Sequence, residues 1–266
     1  MTSQLLFALL ISTLAFFGLF LSYRFWGPKP GIPILMYHKL DKDRSDILTV
    51  KVSDFAKQLH YLIQEECTFL TFKELLDAKE KFHLLPQKSI LLTFDDGYQN
   101  NYDHLLPLLK QHGIKATIFL PVDMIGKENE WDGGGEKIMD WETLKEAKEY
   151  FEYGLHSYQH RNMAEMTKEE FRQDLENCLE TLDKHQLEVV PVLAYPYGKF
   201  PKNAAKFKKF AEVLDEFGIQ YALRIGNKTN AWPIQTPYKV CRFDIRGTDT
   251  LPKFKSKITR AYAKLF

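Results

Sequence analysis

Two adjacent carboxylates, Asp95 and Asp96, stand in Thr93-Phe94-Asp95-Asp96-Gly97, directly after the apolar run Ser89-Ile90-Leu91-Leu92. Neighbouring like charges raise each other's pKa, so a compensating cation is expected beside them. Read alone, Asp-Asp-Gly is also an ordinary turn. A second segment supplies the positive partner. In Gly154-Leu155-His156-Ser157-Tyr158-Gln159-His160 two histidines stand at i and i+4, a spacing that lets them share one face of a helical turn and converge on one metal ion. One Asp and two His bind zinc or a similar divalent ion and leave positions open for water and substrate. The other Asp is then free to take a proton from a water whose pKa such an ion lowers toward ~7. A third segment, Ala194-Tyr195-Pro196-Tyr197-Gly198, is a rigid turn whose backbone N–H can point at a developing oxyanion. On its own it is only a turn.

Side chains at the C-terminal ends of barrel strands face a catalytic mouth, so the elements before these motifs matter. Strands are expected over 34–37, 69–72, 89–94, 116–120, 151–155, 189–195 and 220–223. Helices are expected between them over 55–64, 102–112, 141–150, 168–185 and 204–217. Repeated βα units imply a mostly parallel sheet. About seven strands fit a distorted, incomplete, TIM-like (β/α) barrel over 32–266 better than two small domains. Gly113 and Gly218 follow helical runs and precede strands, as C-capping glycines do.

Residues 5–23 carry no charge, and a 19-residue helix at ~1.5 Å per residue spans roughly the hydrocarbon core of a bilayer. Residues 1–23 are therefore expected to be a signal anchor crossing the membrane once, with a cleaved signal as the alternative. Flanking charges do not orient it, since Arg24 and Lys29 follow the run and no Lys or Arg precedes it. Residues 24–31, rich in Pro and Gly, read as a linker. Lys+Arg 36 against Asp+Glu 35 gives a formal charge of +1, so bulk charge offers no support for a nucleic-acid partner. A content of 45% hydrophobic residues excludes a disordered chain. Cys67, Cys178 and Cys241 lack a CxxC spacing and are expected as buried thiols. The basic helix with Lys253, Lys255, Lys257, Arg260 and Lys264 reads as a solvated face, contact with an anionic wall polymer or lipid headgroups being the alternative.

The three motifs, in this order, resemble those of the polysaccharide deacetylase family, the NodB-homology carbohydrate esterases of family four, across 32–223. The resemblance implies a distorted β/α barrel, a divalent metal and hydrolysis of N- or O-acetyl groups on sugars. It implies Asp95 as general base, Asp96, His156 and His160 as metal ligands, and the Tyr197 backbone as an oxyanion donor. Pro33-Ile34-Leu35-Met36-Tyr37-His38 and Asp140-Trp141 are similar to the poly-N-acetylglucosamine deacetylase branch, and Trp141 and Pro196 are taken as substrate contacts. Many members open the third motif with an Arg that steadies the base, where this chain has Ala194, and many carry a late catalytic His, whereas no His follows His185. His38, after the first strand, is therefore expected to be the general acid. His60, His83, His104, His112 and His185 are expected on the surface or in packing.

The expected protein is thus a metal-dependent N-deacetylase of a cell-surface N-acetylglucosamine polymer, poly-β-1,6-N-acetylglucosamine in first place. It is expected as a monomer on the outer face of the membrane, or secreted if cleaved. Zinc is the default ion, with Co²⁺, Ni²⁺ or Fe²⁺ fitting the same ligands. Alternatives are peptidoglycan or chitin-oligomer deacetylation, an acetylxylan esterase, and a membrane-tethered glycan-binding module with a degenerate site. A glycosidase needs two carboxyls ~5–9.5 Å apart across one bond and has no use for the His pair. An oxygenase facial triad would need a double sheet that the βα alternation does not provide.

Overall fold

Strands that are apolar at nearly every position must be covered on both faces, here by the interior of a closed ring and by an outer layer of helices. The computed structural model describes residues 31–263 together with Thr13 and Gly18. The chain enters through β1 (Gly31–Ile32) and β2 (Ile34–Tyr37), followed by a short parallel pair, β3 (Lys39–Asp41) and β4 (Thr49–Lys51). After α1 (Val52–Gln64), β5 (Thr68–Phe69) and α2 (Phe72–Glu80) comes the long strand β6 (Ser89–Asp95). A π-helical turn, Asn101–Leu105, runs into α3 (Leu106–His112) and then β7 (Ala116–Leu120). The alternation continues with α4 (Trp141–Ala147), β8 (Phe151–Leu155), α5 (Lys168–His185), β9 (Val192–Ala194) and α6 (Ala204–Glu216). β10 (Tyr221–Ile225), β11 (Asn230–Ala231), β12 (Val240–Asp244) and α7 (Leu251–Ala263) complete it.

Seven parallel strands form the ring in the order β2-β12-β10-β9-β8-β7-β6, and β2 closes it onto β6 with Tyr37 opposite Phe94. Alternate residues divide between two cores. Ile34, Leu91, Phe119, Val192, Ala194, Leu223 and Val240 fill the interior. Their sequence neighbours Leu35, Leu92, Ile118 and Leu193, with Phe243 beside the interior Arg242, pack outward in the core that includes Phe55 and Leu59 of α1 and Phe171 of α5. Each such burial contributes about 1.5–3 kcal/mol. At the interior position of β8 only a residue without Cβ fits: a Cβ on Gly154 would lie 2.7 Å from the Phe119 ring and 3.1 Å from Val192.

The ring contains the expected number of strands with one different member. Strand 69–72 is cut short because Thr71 caps α2 instead: its hydroxyl accepts from Glu74 N, and the Glu74 carboxylate accepts from Thr71 N at 2.8 Å. β5 only flanks the lower part of β6, and the seventh barrel strand is β12, which the sequence pattern hid behind Arg242. The strand expected over 189–195 is reduced to Val192–Ala194, following Pro191, which has no N–H to give to a ladder. Gly31, expected in the linker, pairs with Ala231 in β1. The three cysteines form no disulfide; Cys178 and Cys241 are buried, whereas Cys67 is only half-buried. The expected anchor over 1–23 lies outside the described residues, apart from Thr13 and Gly18. Among the described residues no helix is long and apolar enough to cross a membrane.

Candidate metal centre and its surroundings

Asp96 follows the last residue of β6 and sits at φ +73°, a left-handed turn that swings its carboxylate across the mouth of the ring. Across the mouth, after β8, His156 and His160 turn back toward it. Asp96 Oδ1 lies 3.3 Å from His156 Nε2 and 3.2 Å from His160 Nε2. All three residues are buried, and one ligand atom from each falls within 4.8 Å of the others. Oδ1 nonetheless has no hydrogen-bond partner of acceptable geometry. A buried, unsatisfied carboxylate oxygen between two imidazole nitrogens is the arrangement a cation would satisfy, so the residues fit a divalent ion. Burial alone would raise the Asp96 carboxyl, but the two imidazoles facing it hold it well below the usual carboxylate range.

The two histidines are oriented by different means. His156 Nδ1 lies 2.8 Å from the Ala194 carbonyl, which can only accept, so Nδ1 carries the proton and Nε2 is left to ligate. His160 Nδ1 has no such partner. Its ring is instead fixed by aromatic packing, stacked on Trp131 with centroids 4.0 Å apart and met edge-on by Tyr197 at 4.7 Å. The turn between them is tied to α5: Ser157 Oγ donates to Asp174 Oδ2 at 2.8 Å, and Tyr158 N donates to the same carboxylate. Ser157 and His160 both take positive φ, +70° and +55°, which this tether holds in place.

Asp95 points into the ring. Arg242, on β12 and fully buried, donates through Nη1 to Asp95 Oδ1 at 2.5 Å and through Nη2 to Oδ2 at 2.7 Å. Nη1 also reaches Thr93 Oγ1 at 3.3 Å, and the guanidinium lies 5.4 Å from the Phe119 ring centre. The cation absent at Ala194 is therefore supplied from a strand two places round the ring. Burial pushes the Asp95 carboxyl up, yet the Arg242 guanidinium, with His156 and His38, brings it below the ordinary value. His38 Nε2 and His156 Nε2 each lie 4.0 Å from Asp95 Oδ2. The His38 backbone is held in turn by Asn101 Nδ2, which donates to its carbonyl at 2.9 Å.

The remaining site residues divide. Pro196 opens the turn Pro196–Gly198 at the end of β9 and is buried, while Tyr197 stands half-exposed at φ +59° beside His160. Trp141 is not brought to the centre: it begins α4 and stacks on His185 of α5, with centroids 3.9 Å apart and planes within 4°. The tryptophan at the centre is Trp131, whose Nε1 lies 3.3 Å from Asp96 Oδ2. Trp131, Arg242 and Asp174 escaped the sequence reading because each comes from a segment with no motif of its own. The one signal was Trp131-Asp132-Gly133-Gly134-Gly135, an aromatic residue at the start of a glycine-rich loop.

A closed (β/α) ring with a three-ligand centre at the C-terminal ends of its strands places the chain among barrel proteins with a candidate metal site at the mouth. Within that class it belongs to the polysaccharide deacetylase family, whose family model matches residues 84–221. It is 29% identical over 193 residues to the poly-beta-1,6-N-acetyl-D-glucosamine N-deacetylase of Staphylococcus aureus, covering 68% of this chain and 62% of that protein. The chain spans 60 to 62% of the length of the curated relatives it matches. Among solved structures, IcaB from Ammonifex degensii superposes with a TM-score of 0.70 at 25% identity, covering 88% of this chain and 97% of that one. The deacetylase PplD of Streptococcus pyogenes, solved in complex with acetate, shares the fold with a TM-score of 0.72 at 19% identity, covering 86% and 99%.

Proposed function

We propose that the protein hydrolyses N-acetyl groups on a β-1,6-linked N-acetylglucosamine polymer, with one divalent ion held by Asp96, His156 and His160. The observation that carries this reading is the arrangement around Asp95 Oδ2: a carboxylate clamped by Arg242, with His38 Nε2 and His156 Nε2 each 4.0 Å from it. The polymer follows from the relatives named for that substrate. The protein is read as a monomer that faces the cell exterior through its apolar N-terminal segment, and zinc as the ion that suits the ligand set.

When bound, the ion supplies Lewis-acid polarisation of the acetyl carbonyl and makes the attacking water more acidic. The chain's own residues do the rest. Asp95, kept ionised and fixed in plane by Arg242, orients the water and accepts its proton as oxygen attacks the carbonyl carbon. The Tyr197 backbone N–H, set by the turn Pro196–Gly198, donates to the developing oxyanion. His38 gives a proton to the sugar nitrogen as the C–N bond breaks, releasing acetate and a free amine. Arg242 also answers the main ground for a degenerate site, since a cation on the base is present.

Acetate release from β-1,6-linked N-acetylglucosamine oligomers, with and without chelator, tests the reading against β-1,4 oligomers and acetylated xylan. Chelator-sensitive release with the highest kcat/KM on the β-1,6 oligomer is expected. Preference for the β-1,4 oligomers would move the assignment to chitin or peptidoglycan, and no release from any of them by metal-loaded protein would leave a binding module.

A further inference from the structure

On the flank of the barrel, between α7 and the segment joining β10 to β11, lies a cavity of about 370 Å³. Its walls carry Lys228, Lys253, Lys257 and Arg260. α7 is built to present them. Phe254, Ile258 and Ala261, at i, i+4 and i+7, are buried and seat the helix on the barrel. Lys253, Lys257 and Arg260 repeat the same spacing one residue earlier and so form a second stripe beside the cavity. Lys253 and Lys257 share Asp249, and Lys257 Nζ also donates to the Asp244 carbonyl at 2.6 Å. Among the described residues no carboxylate lies within 4.0 Å of Lys228 or Arg260. Four cations thus face one shared acid, and the cavity attracts anions.

What anion can reach it follows from where the chain enters the barrel. Lys228 and Thr229 directly precede Asn230, which pairs with Ile32, and Asn230 Nδ2 donates to the Ile32 carbonyl. The rim at Lys228 is therefore three residues, roughly 10 Å of strand, from Ala231, the partner of Gly31 where residues 1–30 join the fold. The charge-free run ends at Tyr23, leaving seven residues, 24–30, which extend at most ~25 Å. A bilayer holding residues 5–23 would keep this flank within reach of its headgroups. The cavity runs along the outer side of the ring, from Lys257 beside the Asp244 carbonyl at the C-terminal end of β12 to Thr229, next to the β1–β11 pair, so contact here is lateral. We infer that the cavity binds the phosphodiester headgroups of anionic phospholipid and docks the barrel by this flank onto the membrane that residues 5–23 enter.

The experiment uses the full chain in vesicles of phosphatidylcholine alone and in vesicles with one part phosphatidylglycerol to two of phosphatidylcholine. Amine-reactive labelling of Lys228, Lys253 and Lys257 is read by peptide mass spectrometry, with Lys208 and Lys209 of α6 as internal reference. Labelling of the cavity lysines should slow at least fivefold in the anionic vesicles, recover in molar salt, and recover in Arg260→Glu, since each basic residue near such a surface changes the partition by roughly fivefold. Arg260 is exposed, so this variant keeps the fold, and acetate release from a soluble oligomer should not change. Equal labelling in the two vesicles would overturn the inference. So would protection by a soluble glycerol phosphate polymer with none from phosphatidylglycerol. Either result is independent of whether the deacetylase reading holds.

Discussion

Arg242 and Asp95, 147 residues apart in the chain, meet as a two-pronged ion pair inside the ring, both guanidinium prongs on both carboxylate oxygens. The pair exists because β12 lies beside β2, and β2 lies beside β6, so interior positions of β12 and β6, two places apart in the ring, converge. It engages Asp95, the one of the two adjacent acids outside the Asp96, His156 and His160 cluster.

Removing the guanidinium by Arg242→Met leaves a buried carboxylate without its cation, which costs about 3–5 kcal/mol of stability. Burial, no longer opposed by Arg242, then raises the Asp95 pKa, so the acid limb of kcat/KM moves to higher pH. The sign for stability follows. Asp95 is depressed in the native protein, so its contribution is present above the unfolded carboxylate pKa and is lost as pH falls through the folded one. The urea-unfolding difference between native protein and Arg242→Met should therefore be largest near neutrality and shrink in acid. An unchanged acid limb would show that Asp95 does not govern turnover.

Metal content separates the two acids. Asp96→Ala, His156→Ala and His160→Ala should each lose bound metal and acetate release together, whereas Asp95→Asn should keep the metal and lose turnover by ~10²–10⁴. Trp131→Ala removes both the stack on His160 and the N–H facing Asp96, and should weaken metal affinity by ~10–100-fold. Trp131→Phe, which keeps a ring against His160, should lose less. Stoichiometric metal in a His156→Ala, His160→Ala double variant would remove the ligand assignment.

Much of this arrangement was legible in the sequence because strand ends and motifs coincide: 116–120, 151–155 and 168–185 fold as read, and Asp96, His156 and His160 converge, although the His pair does so through a non-helical turn with Ser157 and His160 at positive φ and not from one face of a helix. Arg242 was not legible. A charge in Val240-Cys241-Arg242-Phe243-Asp244 breaks the apolar pattern of a barrel strand, and only the fold shows that its partner is Asp95. Trp141 misled for the opposite reason. Its place before the His pair in sequence does not bring it near them, since α4 lies outside the ring and the tryptophan finds His185 there.

Gly154→Ala tests how tightly the interior supports this pair. The added methyl would stand 2.7 Å from the Phe119 ring, and that ring underlies Arg242. Overpacking of this kind costs about 1–3 kcal/mol, measurable as a lowered urea midpoint with unchanged slope. A shift of Phe119 displaces the guanidinium, so kcat should fall as well. A variant less stable but with native kcat would show that Arg242 tolerates movement of the ring beneath it.

His38 is the group whose role the geometry frames most sharply. It stands just after β2 with Nε2 4.0 Å from Asp95 Oδ2, and Asn101 anchors its carbonyl. It belongs to none of the three ligand positions, so His38→Ala should leave metal content as it is. An amine is a poor leaving group until protonated, and a positioned imidazole contributes typically ~10²–10⁴-fold, so kcat on the N-acetyl substrate should fall in that range with KM little changed. An acetyl ester releases an alkoxide with less need of a proton, and its hydrolysis should fall less. The ratio of the two losses isolates proton donation from packing: a merely structural His38 would slow amide and ester alike, and that equality would return the general acid to another residue.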